Sequence, residues 1–461
     1  MKTVFTILIC SALLLHAEVK NIKKTIPIKE TQTVELSDFN GSTLEIKSWD
    51  KNEVSINISI DYSSSDKENE QEYIQMVDVV QEDTDERMII MYHEPKTRNN
   101  GFSLKNLLSF QFVSYSNLKV TGEIYVPASH NIEADLRYGN YSLEGIMGNL
   151  VLTGVSNTLR LANCASIKKI NNNYGKTTIE RSGGTLVLEG TSSTISINDF
   201  HGQVIADANY STISFSGITN NTTVTCVSGK IDIDGIDGNV VLDAKYSDIR
   251  LEKLKGTATI ESQSGTIRVK EVFGAVIDAP YSNITLESVT GTGNPIFINN
   301  TSGEITIFNS TRDVKIEDSY SKVKLENIQG NVTLSGKSSS FYGKRIVGNL
   351  IVRNEYGNVV FDELSASTVE ISNTSNTVEI GLIIKPSKVY ITNQYGSVEL
   401  SFPEFSGDVK LKASYGSIRT NLPIEIEELA GGEIAMGKVG SGNGTVNIKT
   451  TSGNIEIHQN K

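Results

Sequence analysis

The feature that most constrains this chain is a short motif that recurs at a nearly constant step from Tyr138 to about Ser417. Tyrosines recur about every 36 residues, and serines stand midway between them. The tyrosines are Tyr138, Tyr174, Tyr210, Tyr246, Tyr281, Tyr320, Tyr356 and Tyr395, and the serines are Ser156, Ser192, Ser228, Ser264, Ser302, Ser338 and Ser375. The underlying step is therefore about 18 residues, with Tyr and Ser alternating at its first position. A fixed period of this kind predicts a solenoid.

The unit that starts at Tyr246 shows the pattern inside one repeat. Counted from the tyrosine, apolar or small residues stand at offsets +3, +5 and +8 and again at +12, +14 and +16. These residues are Ile249, Leu251, Leu254, Ala258, Ile260 and Ser262. Polar residues lie between them, which is typical of strands with one buried face. Each unit is therefore expected to contain two strands of about seven residues.

Two further columns predict corners in the repeat. Offset +10 is glycine in most units, namely Gly148, Gly184, Gly202, Gly238, Gly256, Gly274, Gly330 and Gly348. Because glycine reaches positive φ without a steric penalty, this column predicts a tight bend between the two strands. Offset +16 is small almost everywhere, which predicts a narrow corner; its members include Gly154, Gly190, Ala208, Cys226, Ala244, Ser262, Ala279 and Gly336.

The tyrosine column is expected to lie at least partly inside the solenoid. The inward alternation of offsets +12, +14 and +16 continues to the first position of the next unit, so each ring would pack between a Ser or Gly of the adjacent coils. Coils of 36 residues would instead stack the tyrosines on one another, and we favour 18 because one unit already holds two strands and two turns. A carbohydrate-stacking role for the rings is the alternative, and their predicted inward direction argues against it.

The sequence therefore predicts an all-β protein built as a single-stranded parallel β-helix, or β-solenoid. Each coil is expected to have about 18 residues and two short strands, with the right-handed winding that is general for parallel crossovers. We expect a signal peptide over residues 1–17, a small N-terminal β-rich cap over 18–127, solenoid repeats over 128–422, and C-terminal strands and a cap over 423–461. Caps are expected because the ends of a solenoid otherwise expose strand edges.

The first 17 residues indicate the compartment. Lys2 precedes an apolar run that is too short for a membrane span, which is typical of a secretory signal peptide. A buried first strand and a lipid anchor on Cys10 are the alternatives, although Ile9 occupies a position where a lipobox has a small residue. We expect an extracytoplasmic protein, periplasmic, outer-surface or secreted, with no transmembrane segment after cleavage. Cys164 and Cys226 are expected to be core residues that are too far apart for a disulfide.

The sequence contains few patterns typical of catalytic, metal-binding or nucleic-acid-binding sites. The net charge of −12 and the dispersed basic residues argue against unaided nucleic-acid binding. No HExxH, CxxC or nucleophile-elbow motif is present, and His93, His130, His201 and His458 are isolated. We therefore predict no catalytic, cofactor-binding or metal-binding residues and no cofactor.

Two local patterns could suggest ligands. Asp232, Asp234 and Asp237 form an acidic run of the kind that binds calcium or serves glycoside hydrolysis. Because Asp232 and Asp234 alternate with apolar residues, we expect them on the outer face of one strand. The glycines of GSGNGT, Gly440, Gly442 and Gly444, could suggest a phosphate cradle, but no helix pattern follows, so a turn is expected.

Several stretches resemble a known family: FNGSTLEIKSWDKNEVSINISI, GEIYVPASHNIEADLRYGNYSLEGIMGNLVLTG, SGTIRVKEVFG and GTVNIKTTSGNIEI. Across these stretches, from about Asp38 to Ile457, the chain resembles the bacterial putative adhesin family, extracytoplasmic β-strand-repeat proteins of unassigned function. The resemblance implies a β-helix at the cell envelope and brings no catalytic residues. The chain departs from the common pattern by placing Tyr where many relatives have Ser.

The expected function is that of a non-enzymatic cell-envelope protein, either an adhesin or a scaffold. Its extended polar surface would contact a surface glycan or an envelope protein, since repetitive surfaces suit multivalent binding. The alternatives are a polysaccharide-active β-helix enzyme and a regulatory sensor of envelope stress. The short coils and dispersed ionisable residues argue against the enzyme, and the sensor would have the same sequence features as the adhesin.

Overall fold

A computed structural model of the chain describes residues 18–63, 67–94, 118–291 and 294–460. The predicted signal peptide, residues 1–17, lies outside the described residues. The chain divides into two compact units, Met1–Gly184 and Thr185–Lys461, and each is described by itself. Within the described residues, no helix has the length and apolar character needed to cross a membrane.

The first unit consists of strands and one helix. Its elements are β1 (Glu18–Pro27), β2 (Thr33–Ser37), β3 (Thr43–Trp49), β4 (Glu53–Tyr62), α1 (Lys67–Met76), β5 (Asp78–Asp83), β6 (Arg87–His93), β7 (Leu118–Pro127), β8 (Ile132–Arg137), β9 (Asn140–Glu144), β10 (Asn149–Val155), β11 (Thr158–Ala162), β12 (Ser166–Asn173) and β13 (Lys176–Glu189), whose last residues belong to the second unit.

Parallel coils begin earlier in the chain than the repeat pattern indicates. β2 and β3 form one coil, which pairs in parallel with β6 and β7 on one side and with β8 and β9 on the other. The next coils, β10 with β11 and β12 with β13, follow in parallel. The coil of β2 and β3 was not predicted, because Val34 pairs with Ile132, 98 residues further along the chain.

Antiparallel strands complete the first unit beyond the coil of β6 and β7. β4 pairs antiparallel with β7 on one side and with β1 on the other, and β5 pairs antiparallel with β6. The parallel edges of β6 and β7 are therefore covered by strands of the opposite direction, which is one way to protect the end of a sheet.

The second unit contains the remaining strands. They are β14 (Thr194–Asp207), β15 (Thr212–Ile218), β16 (Thr222–Val227), β17 (Lys230–Ile236), β18 (Val240–Lys245), β19 (Asp248–Glu261), β20 (Ser264–Asp278), β21 (Tyr281–Val289), β22 (Ile296–Asn299), β23 (Glu304–Ser310), β24 (Val314–Glu317), β25 (Lys322–Gln329), β26 (Val332–Ser335), β27 (Ser340–Val347), β28 (Leu350–Arg353), β29 (Val359–Ser365), β30 (Thr368–Ser375), β31 (Val378–Ile380), β32 (Ile383–Ile384), β33 (Lys388–Tyr395), β34 (Val398–Phe402), β35 (Gly407–Ala413), β36 (Ile418–Thr420), β37 (Glu425–Leu429), β38 (Gly432–Val439), β39 (Gly444–Thr450) and β40 (Ile455–Gln459).

Equivalent strands of successive coils pair in parallel in the second unit. Ile213 pairs with Ile231 and Ile231 with Ile249, a register of 18 residues, and all three side chains are buried. Stacked aliphatic side chains of this kind fill the space between the two sheets of the coil. The predicted fold class, an all-β parallel β-solenoid with coils of about 18 residues, is confirmed.

The C-terminal strands are inserted between two earlier coils. β39 pairs in parallel with both β33 and β35, and β40 pairs in parallel with both β34 and β36. The chain therefore leaves one coil position empty after Phe402, forms the following coil at Gly407–Thr420, and fills the gap with its last segment. Among the described residues of the predicted C-terminal region, β37 and β38 lie beyond that coil, where β38 pairs antiparallel with β35.

The glycine column accounts for only part of the bend between the two strands of a coil. Left-handed residues stand at offset +7, for example Lys253 and Glu271, both with φ of 54°. Gly256 and Gly330 at offset +10 lie outside the left-handed region; at each, a Cβ atom would come within 2.5 Å of a carbonyl oxygen of the adjacent coil. The expectation of positive φ in this column therefore holds at Gly184, Gly202 and Gly348, with φ of 132°, 145° and 147°, and fails at Gly256 and Gly330, where glycine is needed for close approach between coils instead.

Candidate functional site

The tyrosine column points outward, so the expectation that it lies inside the solenoid was wrong. In the second unit these residues are Tyr210, Tyr246, Tyr281, Tyr320, Tyr356, Tyr395 and Tyr415. Their exposed fractions range from 51% at Tyr356 to 70% at Tyr415. In the first unit Tyr138 and Tyr174 are exposed in the same way. The argument against a stacking role for these rings therefore does not hold.

A left-handed residue at the corner explains the outward direction. Tyr210 and Tyr246 have φ of 57° and 56°, which interrupts the alternation of a regular strand. The chain turns there, and the next residue points inward; Ser247, directly after Tyr246, is buried. The sequence carried a signal for this geometry, since the position after each Tyr or Ser is Gly, Ser or Asn throughout the repeats.

Later coils build the same corner with buried amide or carboxylate side chains. Asp318 accepts hydrogen bonds from the backbone N–H of Ser321 at 2.9 Å, from the Ser321 hydroxyl at 2.6 Å and from the Ser339 hydroxyl. Asn300 accepts hydrogen bonds from the N–H groups of Thr301 and Ser302. The buried members of this column are Asn300, Asp318, Asn354, Asn373 and Asn393. Asn300 and Asp318 satisfy backbone donors of the corner, whereas Asn354, Asn373 and Asn393 donate their side-chain N–H groups to backbone carbonyl oxygens.

The exposed tyrosines of the second unit form a regularly spaced row. Tyr356 pairs with Ser375 and Ser375 pairs with Tyr395, so one serine coil separates two tyrosine coils. Earlier in the unit, Ser264 pairs with Tyr281. Since neighbouring strands lie about 4.8 Å apart, consecutive tyrosines are about 9.6 Å apart. We call Tyr210, Tyr246, Tyr281, Tyr320, Tyr356, Tyr395 and Tyr415 the tyrosine ladder.

The inserted C-terminal coil maintains this alternation. In the sequence Tyr395 and Tyr415 are 20 residues apart, which is one repeat and would place two tyrosines in adjacent coils. In the structure Ser452 N–H donates to the Gln394 carbonyl, and Tyr415 N–H donates to the Thr451 carbonyl, both at 2.8 Å. Ser452 therefore lies between Tyr395 and Tyr415, and the two rings are separated by the usual two coils.

The rings of the ladder are free to receive a ligand. In the described part of the chain, no two ladder rings contact each other. The Tyr395 hydroxyl accepts a hydrogen bond from the Gln394 side chain at 3.1 Å, and no other ladder hydroxyl has a protein partner within the described residues. The residues directly before the ladder tyrosines are mostly uncharged, and the two charged ones, Lys245 and Glu355, have opposite signs.

The acidic run lies on the outer face of its strand, as its alternation indicated. Asp234 pairs with Lys253 at 3.3 Å and Asp237 pairs with Lys255 at 2.9 Å, both in the next coil. Exposed pairs of this kind contribute little to stability. Among the described residues, no group of three or more His, Cys, Asp or Glu side chains could hold a metal ion.

The histidines and the glycine-rich segment occupy structural positions. His130 is buried, with Nε2 3.1 Å from the Lys29 carbonyl oxygen. His458 lies 2.7 Å from Glu456, whereas His201 is 3.7 Å from Asp199. Gly440 and Gly442 lie in the turn between β38 and β39, where Gly442 N–H donates to the Ser406 hydroxyl at 2.7 Å, and Gly444 begins β39.

Both remaining cysteines are buried free thiols. Cys164 belongs to the first unit and Cys226 to the second, and each is almost inaccessible to solvent. Burial raises the pKa of the Cys164 and Cys226 thiols above the ordinary value. A thiol with a raised pKa is a poor nucleophile, which fits a role in packing.

Several surface depressions of the second unit lie on outer sheet faces. One of about 300 Å³ is lined by Arg353, Glu370, Lys388 and Tyr390. Lys388 pairs with Glu370 at 2.9 Å and lies over the Tyr390 ring at 4.6 Å, so its charge is already engaged. This depression offers less to a ligand than the free rings of the ladder.

The fold and the ladder define a parallel β-solenoid with an aromatic edge. Residues 275–458 match the sequence profile of the family described as Toastrack DUF4097, which confirms the family resemblance over that segment. The crystal structure of a putative cell adhesion protein from Clostridium sporogenes aligns with 96% of this chain and 100% of that chain, at 11% identity and a TM-score of 0.17. A score this low supports no conclusion about shared function. No curated protein matches the chain.

Proposed function

We propose that this protein is a non-enzymatic adhesion protein of the cell envelope and that the tyrosine ladder is its contact surface. The observation that carries the proposal is the row of exposed tyrosine rings, repeated every second coil. Tyr246 combines an exposed ring with a left-handed backbone, a conformation that costs about 1–2 kcal/mol for a residue other than glycine. Ser228 and Lys253 have the same left-handed backbone, so this strain belongs to the corners of the coil, and the exposure of the ring is what distinguishes Tyr246.

A repeated row of equivalent side chains favours binding by many weak contacts. One exposed ring contributes modestly, whereas several rings engaged together act at a high effective concentration. Tyrosine suits such a surface because its ring covers a large area with only two side-chain torsions to fix. This arrangement supports adhesion to an extended or repetitive partner more than capture of a single small molecule.

The surroundings of the ladder support binding over catalysis. General acid–base chemistry needs an ionisable group placed close to the reacting bond. The outward carboxylates Asp234 and Asp237 are paired with lysines of the next coil, and the ladder itself is flanked mainly by uncharged side chains. The apolar run of Met1–Ala17 supports placement of the protein outside the cytoplasm.

The proposal is tested by retention of the full chain on immobilised cell-envelope material. The test variant carries Tyr246→Ser, Tyr320→Ser and Tyr356→Ser, which places at each corner the residue that alternate coils already use. The control variant carries Tyr342→Ser and Tyr390→Ser, which remove tyrosines from the outer strand faces. We expect the ladder variant to lose retention and the control to keep it. Equal retention of the ladder variant and wild type would refute the role of the ladder, and release of soluble sugars would favour the enzyme.

A further inference from the structure

We infer that the ligand of the tyrosine ladder is an extended, uncharged polysaccharide with β-1,4-linked sugars. This inference rests on the proposed function and adds the chemical class of the ligand. In such a chain each sugar is turned over relative to the one before it, so the same ring face recurs once per disaccharide. The ladder offers one tyrosine every two coils, about 9.6 Å apart, which matches one ring to each disaccharide.

The number of coils between consecutive ladder rings is constant, although the number of residues between consecutive tyrosines varies. Tyr281 and Tyr320 are 39 residues apart, because Ile284 pairs with Ile305 in a lengthened coil, yet only the Ser302 coil lies between them. Tyr395 and Tyr415 are only 20 residues apart, and the inserted coil separates them by two coils as well. Loop insertions and even an altered chain path therefore leave the interval between rings unchanged.

The chemistry of each position fits a neutral sugar. A tyrosine ring has an apolar face that can pack against the C–H face of a sugar and a hydroxyl that can hydrogen-bond to it. The serines of the intervening coils, such as Ser264 and Ser338, are small and leave room above the edge of the sheet while offering further hydroxyl groups. Because charged residues flanking the ladder are few and of both signs, nothing there selects for an acidic or a basic ligand.

A peptide bound in β conformation fits the ladder less well. A β-strand presents side chains on one face at intervals of about 6.6 Å, two residues at 3.3 Å each, so successive side chains lose register with rings about 9.6 Å apart. A second copy of this chain has the matching interval, and self-association through the ladder is therefore an outcome that the experiment must distinguish.

The experiment measures the affinity of the full chain for β-1,4-linked oligomers of glucose and of N-acetylglucosamine of increasing length, with α-1,4-linked glucose oligomers as the linkage control. We expect affinity to rise with each added disaccharide for the β-linked series and not for the α-linked series. Each of Tyr246→Ser, Tyr320→Ser and Tyr356→Ser should lower the affinity for the longest oligomer by about two- to tenfold. Tyr390→Ser should leave it unchanged.

A second variant tests the interval itself. Ser264→Tyr together with Ser302→Tyr places tyrosines in adjacent coils and halves the spacing without removing any ring. If the interval selects the ligand, this variant should bind the β-linked oligomers no more tightly than wild type. A surface that is merely adhesive would bind all glycans more tightly, and that result would overturn the inference.

The outcomes separate the inference from the proposed function. Absence of β-linked glycan binding, with ladder-dependent retention on envelope material intact, would overturn the inference alone. Concentration-dependent dimerisation in sedimentation experiments would also overturn the inference, in favour of a second copy, if the substitutions Tyr246→Ser, Tyr320→Ser and Tyr356→Ser abolish that dimerisation. Retention that is independent of the ladder would overturn the proposed function and the inference together.

Discussion

Replacement of Ile448 by alanine tests the position of the inserted C-terminal coil. Ile448 is fully buried and pairs with Ile391 on one side and Leu411 on the other. Removing its side chain loses apolar contact with both neighbours and leaves a cavity, which for Ile→Ala typically costs about 2–5 kcal/mol. Because a coil in a solenoid contacts only its neighbours, this loss should be felt by β35, β36 and the β37–β38 hairpin.

Hydrogen exchange followed by mass spectrometry measures this effect segment by segment. A loss of at least 2 kcal/mol corresponds to about 30-fold faster exchange or more in β35, since 1.4 kcal/mol is a factor of ten. Exchange in β15 should not change. Lys449→Ala, which alters an exposed neighbour, is the matched control and should stay within about 0.5 kcal/mol of wild type. Faster exchange in β39 with unchanged β35 would refute the insertion.

Three further perturbations test the corners, the close approaches and the buried thiols. Tyr246→Gly should raise the free energy of unfolding by about 1 kcal/mol in a urea titration, because φ is 56° there; a decrease would argue against backbone strain. Gly148→Ala should lower the free energy of unfolding by about 1–3 kcal/mol, because the new Cβ would lie 2.1 Å from the His130 carbonyl oxygen. Gly41→Ala is the control: a Cβ there has nothing within 4 Å, so the substitution should cost only the φ penalty of about 1 kcal/mol. Both are measured by thermal unfolding. Burial raises the pKa of the Cys226 thiol above 9.0, so the unfolded chain loses the thiol proton at a lower pH than the folded chain does. The stabilisation is complete well below the ordinary pKa of 9.0 and declines as the pH rises toward the folded-state pKa, and Cys226→Ala should flatten this decline in denaturant titrations.

The repeat pattern was sufficient to predict the coils but not the direction of the tyrosines. Offsets +3 and +5 alternate as in any strand, and the step from +5 to +8 already showed a turn at +7, where Lys253 is left-handed. The same three-residue step separates offset +16 of one unit from the second position of the next unit, where Ser247 is buried. The predicted inward direction assumed that the alternation continues through Tyr246. Tyr246 is left-handed, and a left-handed residue reverses which side chain points inward.

The repeat period alone could not predict coils that are assembled from distant segments of the chain. The coil of β2 and β3 stacks on β8 and β9, which lie about 100 residues later, so no local repeat marks it. At the C-terminus the sequence did contain a signal, because Tyr395 and Tyr415 break the alternation of Tyr and Ser that holds elsewhere. Ser452 supplies the missing serine from a later segment.

Chemical modification of tyrosines, read residue by residue with mass spectrometry, tests the ladder most directly. The full chain is nitrated first alone and then while bound to envelope material. The account predicts that Tyr246, Tyr320 and Tyr356 react in the free protein and are protected together on binding, whereas the buried Tyr141 stays unmodified in both samples. Ladder tyrosines that resist nitration in the free chain, or that remain fully reactive when the protein is bound, would contradict the account.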